Sequence, residues 1–293
     1  MTLIETAPGV VLGVTVTGPA DGPLALLLHG FPDSPATWRH LVPVLEARGY
    51  RVAVPAMRGY LPSSHDPAGN YELAALAADC DALHHALGGD ERAVLIGHDW
   101  GAAVAYVALA ASPERWSKGV TISVPPLAVM AAAFFTYEQL QKSWYMFFFQ
   151  NPLADFVVPT DNLSFIDRLW ADWSPGYDAT NDLSAVKQAL ATPEALGAAL
   201  GYYRAMFTGN ALSQANPLLA PYVAAGATNP TQPVLYLHGR EDGCIGAAAV
   251  ADTPAHLSAA SSMTFIEGAG HFVQLEAPDV VSSLIVSWLT PIA

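Results

Sequence analysis

Residues 93–111 read AVLIGHDWGAAVAYVALAA. The run divides into a short apolar strand, a tight turn and a helix of small residues. Gly97 and Gly101 bracket the turn in a G-x-x-x-G frame, with Asp99 at its centre. So sharp a turn forces its central residue into a strained backbone, and the flanking residues must be small. Ala102 and Ala103 let the helix close on the strand. The central side chain projects past the strand end, near the positive N-terminus of the helix, which favours an ionised carboxylate. Asp is also a favoured helix N-cap, and for an Asp between strand and helix that is the plainer role. The two glycines and the partners identified below favour a nucleophile. Serine in this position would take up the carbonyl carbon of its substrate. Aspartate supplies the carbonyl itself, so the substrate must offer an sp³ carbon with a leaving group.

A nucleophile of this kind needs a water-activating pair. His271 lies in GAGHFVQLEAP (268–278), after the last apolar strand and before the last helix. HGREDG (238–243) ends another strand and offers two acids. The G-x-x-D spacing from Gly239 favours Asp242, with Glu241 as second choice. The alternative acid position, SVPPLAV (123–129), carries no carboxylate. Chain order nucleophile, acid, histidine is that of α/β-hydrolases. HGFPDS (29–34) follows the strand LALLLHG, and the backbone N–H groups of Phe31 and Trp100 are placed to form an oxyanion hole. His29 and His98 are assigned structural roles.

The flanking pattern extends this reading to a fold. LALLLHG (24–30), RVAVPAM (51–57), AVLIGHD (93–99), GVTISV (119–124) and PVLYLHG (233–239) are continuous apolar runs, as buried parallel strands should be. VVLGVTVTG (10–18) alternates like an opening strand, and MTFIEGAG (263–270) is a further one. YELAALAADCDALHHALGG (71–89) is a helix with a Gly stop, and APDVVSSLIVSWL (277–289) a closing helix. Strands alternating with helices give an α/β fold, a mostly parallel sheet flanked by helices. From Pro125 to about Pro230 the pattern is helical only. The expected division is a core of 1–125 and 231–293 with a helical lid at 126–230. The reactive residues fall at the carboxyl ends of strands, where open sheets bind ligands.

Of the 293 residues, 52% are hydrophobic, enough for one large domain core, and the formal net charge is −14. Such acidity argues against nucleic acid and against anionic membranes. Cys80 and Cys244 have neither metal-ligand nor redox spacing and read as free thiols in a reducing cytosol. The N-terminus lacks a basic, then apolar, signal-peptide pattern. The longest apolar stretch, 127–135, is too short for a bilayer. A cytoplasmic location is expected, with no cofactor and no metal.

With HGFPD, MRGYLPSS (57–64), GHDWG, the Asp242 loop and GAGHF in hand, the chain resembles the α/β-hydrolase-fold epoxide hydrolases over nearly its whole length. Leu61 and Pro62 depart from the family, which often has Gly directly after the Tyr of this loop. The resemblance implies two lid tyrosines that hydrogen-bond the epoxide oxygen. SWYMFFFQNP (143–152) is similar to the first such segment and points to Tyr145. GYYRAMF (201–207) is similar to the second and points to Tyr203, with Tyr202 as fallback. The implied partners are a small hydrophobic epoxide and water, with Phe134, Phe135, Met146, Phe147, Phe148 and Met206 expected nearby. Haloalkane dehalogenases are similar, but their second halide donor is often Asn where this chain has Phe31. Fluoroacetate dehalogenases carry Arg where it has Trp100. A non-catalytic ligand-binding member of the fold is the remaining alternative, and it would have no need of His271 with Asp242.

Overall fold

The computed structural model describes residues 1–289. Eight strands form one sheet: β1 (Thr2–Ala7), β2 (Val10–Thr17), β3 (Leu24–Leu28), β4 (Arg51–Pro55), β5 (Val94–His98), β6 (Lys118–Ile122), β7 (Val234–Gly239) and β8 (Ser262–Ile266). Their spatial order is β1-β2-β4-β3-β5-β6-β7-β8. The pairs β1–β2 and β2–β4 are antiparallel, and every other neighbouring pair is parallel. β1 is a strand that the sequence pattern does not reveal, because TLIETA is a half-exposed edge strand without an apolar run.

Period-two alternation splits the strands between two cores. Leu24, Leu26 and Leu28 of β3 face one core with the helices Leu73–Ala86 and Trp100–Ala111. Ala25 and Leu27 face the other, with the helices Leu41–Glu46 and Pro278–Trp288. With both faces covered, β3, β5 and β7 are buried from end to end. Between β6 and β7 the described elements are helical, from Leu127–Ala133 to Ala220–Ala225. The last of these packs back on Leu73–Ala86 and Trp100–Ala111. The segment Thr160–Trp173 passes through left-handed backbone at Asp161, Asn162 and Leu163 before running as a helix to Trp173. No described helix is long and apolar enough to cross a membrane.

Candidate active site

The turn after β5 has the geometry its glycines imply. Asp99 sits at φ 53° and ψ −119°, outside the regions an L-residue prefers. A Cβ on Gly97 would lie 2.1 Å from the Gly101 carbonyl oxygen, and one on Gly101 would lie 2.3 Å from that of Leu28. Only glycine lets strand and helix approach so closely.

The two oxygens of Asp99 have different surroundings. Oδ1 accepts a hydrogen bond from the Phe31 N–H at 2.7 Å. Trp100 is the first helical residue, and its N–H is one of the donors that a helix start leaves without an intrahelical acceptor. Oδ2 faces His271 Nε2 at 3.4 Å. On the other side of the imidazole, Nδ1 is 2.9 Å from Asp242 Oδ2. Asp242 Oδ1 is held in turn by the N–H groups of Cys244 and Ile245, at 2.7 and 2.8 Å. Glu241, the second choice of acid, is exposed.

The charges of this row act on His271. Burial disfavours the imidazolium, but the carboxylates of Asp242 and Asp99 outweigh it and raise the pKa to about 10. Burial likewise opposes ionisation of Asp242, yet His271 holds its pKa below the usual carboxylate value. The arrangement therefore favours a proton on the imidazole between Asp242 and Asp99.

His98, given a structural role above, and several residues that the sequence did not single out fix His271. Its carbonyl accepts from Ser123 Oγ at 2.6 Å and pairs with His98 Nε2 at 3.0 Å. Ser123 holds this position at φ 65°, a second strained non-glycine residue at a strand end. The N–H of His271 donates to the Trp173 carbonyl and to Ser174 Oγ, each at 3.0 Å. The Trp173 carbonyl also accepts the Gly243 N–H at 3.0 Å, and Trp170 Nε1 donates to the Pro32 carbonyl at 2.8 Å. One helix end of the insertion thus holds the Phe31, Asp242 and His271 loops. Its terminal carbonyl would otherwise lack an intrahelical partner. His29 has the structural role expected: Nε2 accepts from the Met57 N–H at 3.0 Å and Nδ1 pairs with the Gly30 carbonyl at 2.9 Å. Burial pushes its pKa down, in keeping with a neutral ring.

Above Asp99 lies a cavity of about 80 Å³. Its wall includes Asp99, Trp100, Tyr203, Leu127, Met130 and Met206. Tyr203 is buried beside the Trp100 indole, and among the described residues its hydroxyl proton has no acceptor. Tyr202 is differently engaged, donating to the Arg58 carbonyl at 2.7 Å. Tyr145 is also buried, with its ring 5.5 Å from that of Tyr203. It does not line the cavity, and its hydroxyl lies 3.3 Å from Cys244 Sγ. Burial drives the pKa of both phenols, Tyr145 and Tyr203, well above the ordinary value, so both keep their protons. Only part of the apolar lid set expected near the substrate reaches the cavity wall. Met146 and Met206 line it, whereas Phe134, Phe147 and Phe148 pack on other aromatic rings and Phe135 is 92% exposed. Asp242, Cys244 and His271 bring three possible metal-ligand atoms within 4.8 Å of one another. The first and last are engaged with each other and the thiol with Tyr145.

The sequence profile of the alpha/beta hydrolase fold matches residues 23–278. The chain is 30% identical to epoxide hydrolase A of Mycobacterium tuberculosis over 316 aligned positions, covering 98% of this chain and 96% of that one. The chain is a member of the alpha/beta-hydrolase-fold epoxide hydrolases. An epoxide hydrolase A of known structure, from Mycobacterium thermoresistibile, superposes with a TM-score of 0.81 at 28% identity over 98% of this chain and 97% of that one. The AB hydrolase superfamily protein YfhM of Bacillus subtilis is 31% identical over 96% of this chain and 95% of its own length. In this epoxide hydrolase the cavity wall, the elbow carboxylate and the buried imidazole occupy one end of the sheet, over the carboxyl ends of β3, β5, β7 and β8.

Proposed function

We propose that the chain hydrolyses a small hydrophobic epoxide to a vicinal diol through an ester on Asp99. The observation that carries this reading is the Tyr203 hydroxyl, buried in the same cavity wall as Asp99 with no acceptor for its proton among the described residues. An unmade hydrogen bond on a buried hydroxyl costs about 1–3 kcal/mol, and an epoxide oxygen would recover it.

In the proposed reaction Asp99 Oδ2 attacks a ring carbon, because Oδ1 is already tied to the Phe31 N–H. The ring C–O bond breaks with its electron pair on oxygen, and a tyrosine proton moves to that oxygen. General acid assistance of this kind is worth about a hundred- to ten-thousand-fold. Tyr203 and Tyr145 are the two tyrosines assigned to the epoxide. Esterification removes the charge of Asp99, and with it one of the two carboxylates that keep His271 protonated. The imidazole then passes its proton on and becomes a base for water, oriented by Asp242. Water attacks the carboxyl carbon of the ester as His271 takes its proton, and the oxyanion forms on Oδ1. There it meets the Phe31 N–H, with that of Trp100 as the second donor assigned to it. Each such donor is worth about 3 kcal/mol. On collapse the bond from the carboxyl carbon to Oδ2, the ester oxygen on the substrate, breaks. That oxygen takes the remaining hydroxyl proton, and the diol leaves with the Asp99 carboxylate restored.

The cavity limits what enters. Its volume is below the roughly 300 Å³ at which ligand pockets usually begin. Leu73, Ala103, Val124, Leu127 and Ile245 in the wall favour a compact apolar substituent. Met130, Met146 and Met206 are the side chains best able to give way to a larger one.

Single-turnover hydrolysis of styrene oxide and of a short alkyl epoxide in ¹⁸O water tests the reading. Label in the carboxylate of Asp99, with diol formed, is the expected result. Diol without label in Asp99 means direct attack by water and removes the nucleophile assignment. Halide release from a chloro- or bromoalkane, with no diol from any epoxide, would transfer the chain to the dehalogenases.

A further inference from the structure

Cys244 follows Asp242 by two residues, is wholly buried, and places Sγ 3.3 Å from the Tyr145 hydroxyl. Its backbone is fixed from two sides. The N–H donates to Asp242 Oδ1 at 2.7 Å, and the carbonyl accepts from Gln139 Nε2 at 2.9 Å. The thiol therefore stands where the acid loop meets the helical insertion. A tyrosine hydroxyl has one proton to give and two lone pairs to accept with. Once Tyr145 donates to an epoxide oxygen, its contact with sulfur survives only if the thiol is the donor. Burial and the carboxylates of Asp242 and Asp99 keep the sulfur protonated, so that donor is present. Tyr203, beside the Trp100 indole, has a proton with no acceptor among the described residues.

We propose that Cys244 is a positioning residue for ring opening: its S–H donates to Tyr145 Oη while Tyr145 donates to the epoxide oxygen. Tyr145 then orients the epoxide, and Tyr203 is the tyrosine that gives up its proton. In that step the ring C–O bond breaks, the bond from Asp99 Oδ2 to carbon forms, and the Tyr203 proton moves to the ring oxygen. The proton on sulfur stays in place. Tyr203 recovers a proton by way of His271, whose own loss is made good by the water that hydrolyses the ester. The inference rests on the epoxide reading of the site.

Rapid-quench mass spectrometry separates formation of the Asp99 ester from its hydrolysis. Both rates are measured for the wild type, Cys244→Ala and Cys244→Ser, each with Tyr145 intact and as Tyr145→Phe. With Tyr145 intact, Cys244→Ala is expected to slow ester formation about fivefold, the scale of one modest hydrogen bond. Ester hydrolysis should be unchanged, and Cys244→Ser should restore ester formation. In the Tyr145→Phe background the Cys244 substitutions should have no further effect. Equal slowing of both steps, or an undiminished effect without the Tyr145 hydroxyl, would reduce Cys244 to packing and overturn the proposal. Should the Ala variant fail to fold, Cys244→Val keeps most of the volume without the donor and is judged by the same criteria. Ester formation without coupling to Tyr145 removes this inference alone, whereas no ester from any epoxide removes the functional reading with it.

Discussion

In the proposed mechanism Asp99 has two separable duties, to attack carbon and to hold a proton on His271, and one substitution exposes both. Asp99→Asn keeps an acceptor for the Phe31 N–H but loses the charged nucleophile. Turnover should fall by more than about a thousandfold, measured on protein checked by mass for deamidation. The same change takes away a carboxylate at 3.4 Å from Nε2, so the His271 pKa should move down from about 10, read by NMR of the imidazole. The adjacent tyrosines make a second contrast. Tyr203→Phe should slow ester formation about a hundredfold, as expected for a lost general acid. Tyr202→Phe should lower stability by about 1 kcal/mol and leave ester formation nearly intact, because its hydroxyl is committed to the Arg58 carbonyl. Chemical denaturation and rapid quench separate the two. Asp99, His271 and Asp242 were legible in the sequence because each follows a strand end and its residue type narrows the chemistry. The Cys244–Tyr145 contact was not, since 99 positions separate the pair and no local pattern links them. Ser123 has no local signal either, since its role depends on a left-handed backbone and on a carbonyl 148 positions away.

The elbow depends on backbone clearance more than on any side chain it carries. Gly101→Ala drives a Cβ to 2.3 Å from the Leu28 carbonyl oxygen, a strand atom that cannot retreat without breaking the pairing of β3 with β5. The variant should lose about 3 kcal/mol or more, beyond the common range for single substitutions, and urea midpoints would record it. The elements that hold the site were readable for the same physical reason. A strand buried on both faces must be continuously apolar, and β3, β5 and β7 have no polar residue until their carboxyl ends. Where burial is partial the pattern fades, as in β1. The helical insertion announced its character through composition. Which of its residues face the cavity depends on how short helices pack, and phenylalanines that looked like substrate contacts instead pack together or meet solvent.

For the whole molecule, the raised pKa of His271 makes stability depend on pH. A group whose pKa is higher when folded binds its proton more tightly in the native state. Its contribution is fully present below the ordinary imidazole value of about 6.5 and is lost as pH rises through about 10. The difference in Tm between the wild type and His271→Gln should therefore shift against the wild type as the pH is raised from about 6.5 to about 10, which calorimetry can follow. A wild-type advantage that stayed constant across that interval would mean that the imidazole is not charged in the resting site.

The end of the segment Thr160–Trp173 ties together loops that are far apart in the chain. The amides of Gly243 and His271 both terminate on the Trp173 carbonyl. Neither can meet solvent deuterium while that helix end stays docked. The two amides should therefore exchange at a common rate set by undocking, and binding of a substrate in the cavity should slow both together. Their exchange would time how often the insertion lifts, without any probe being placed on it.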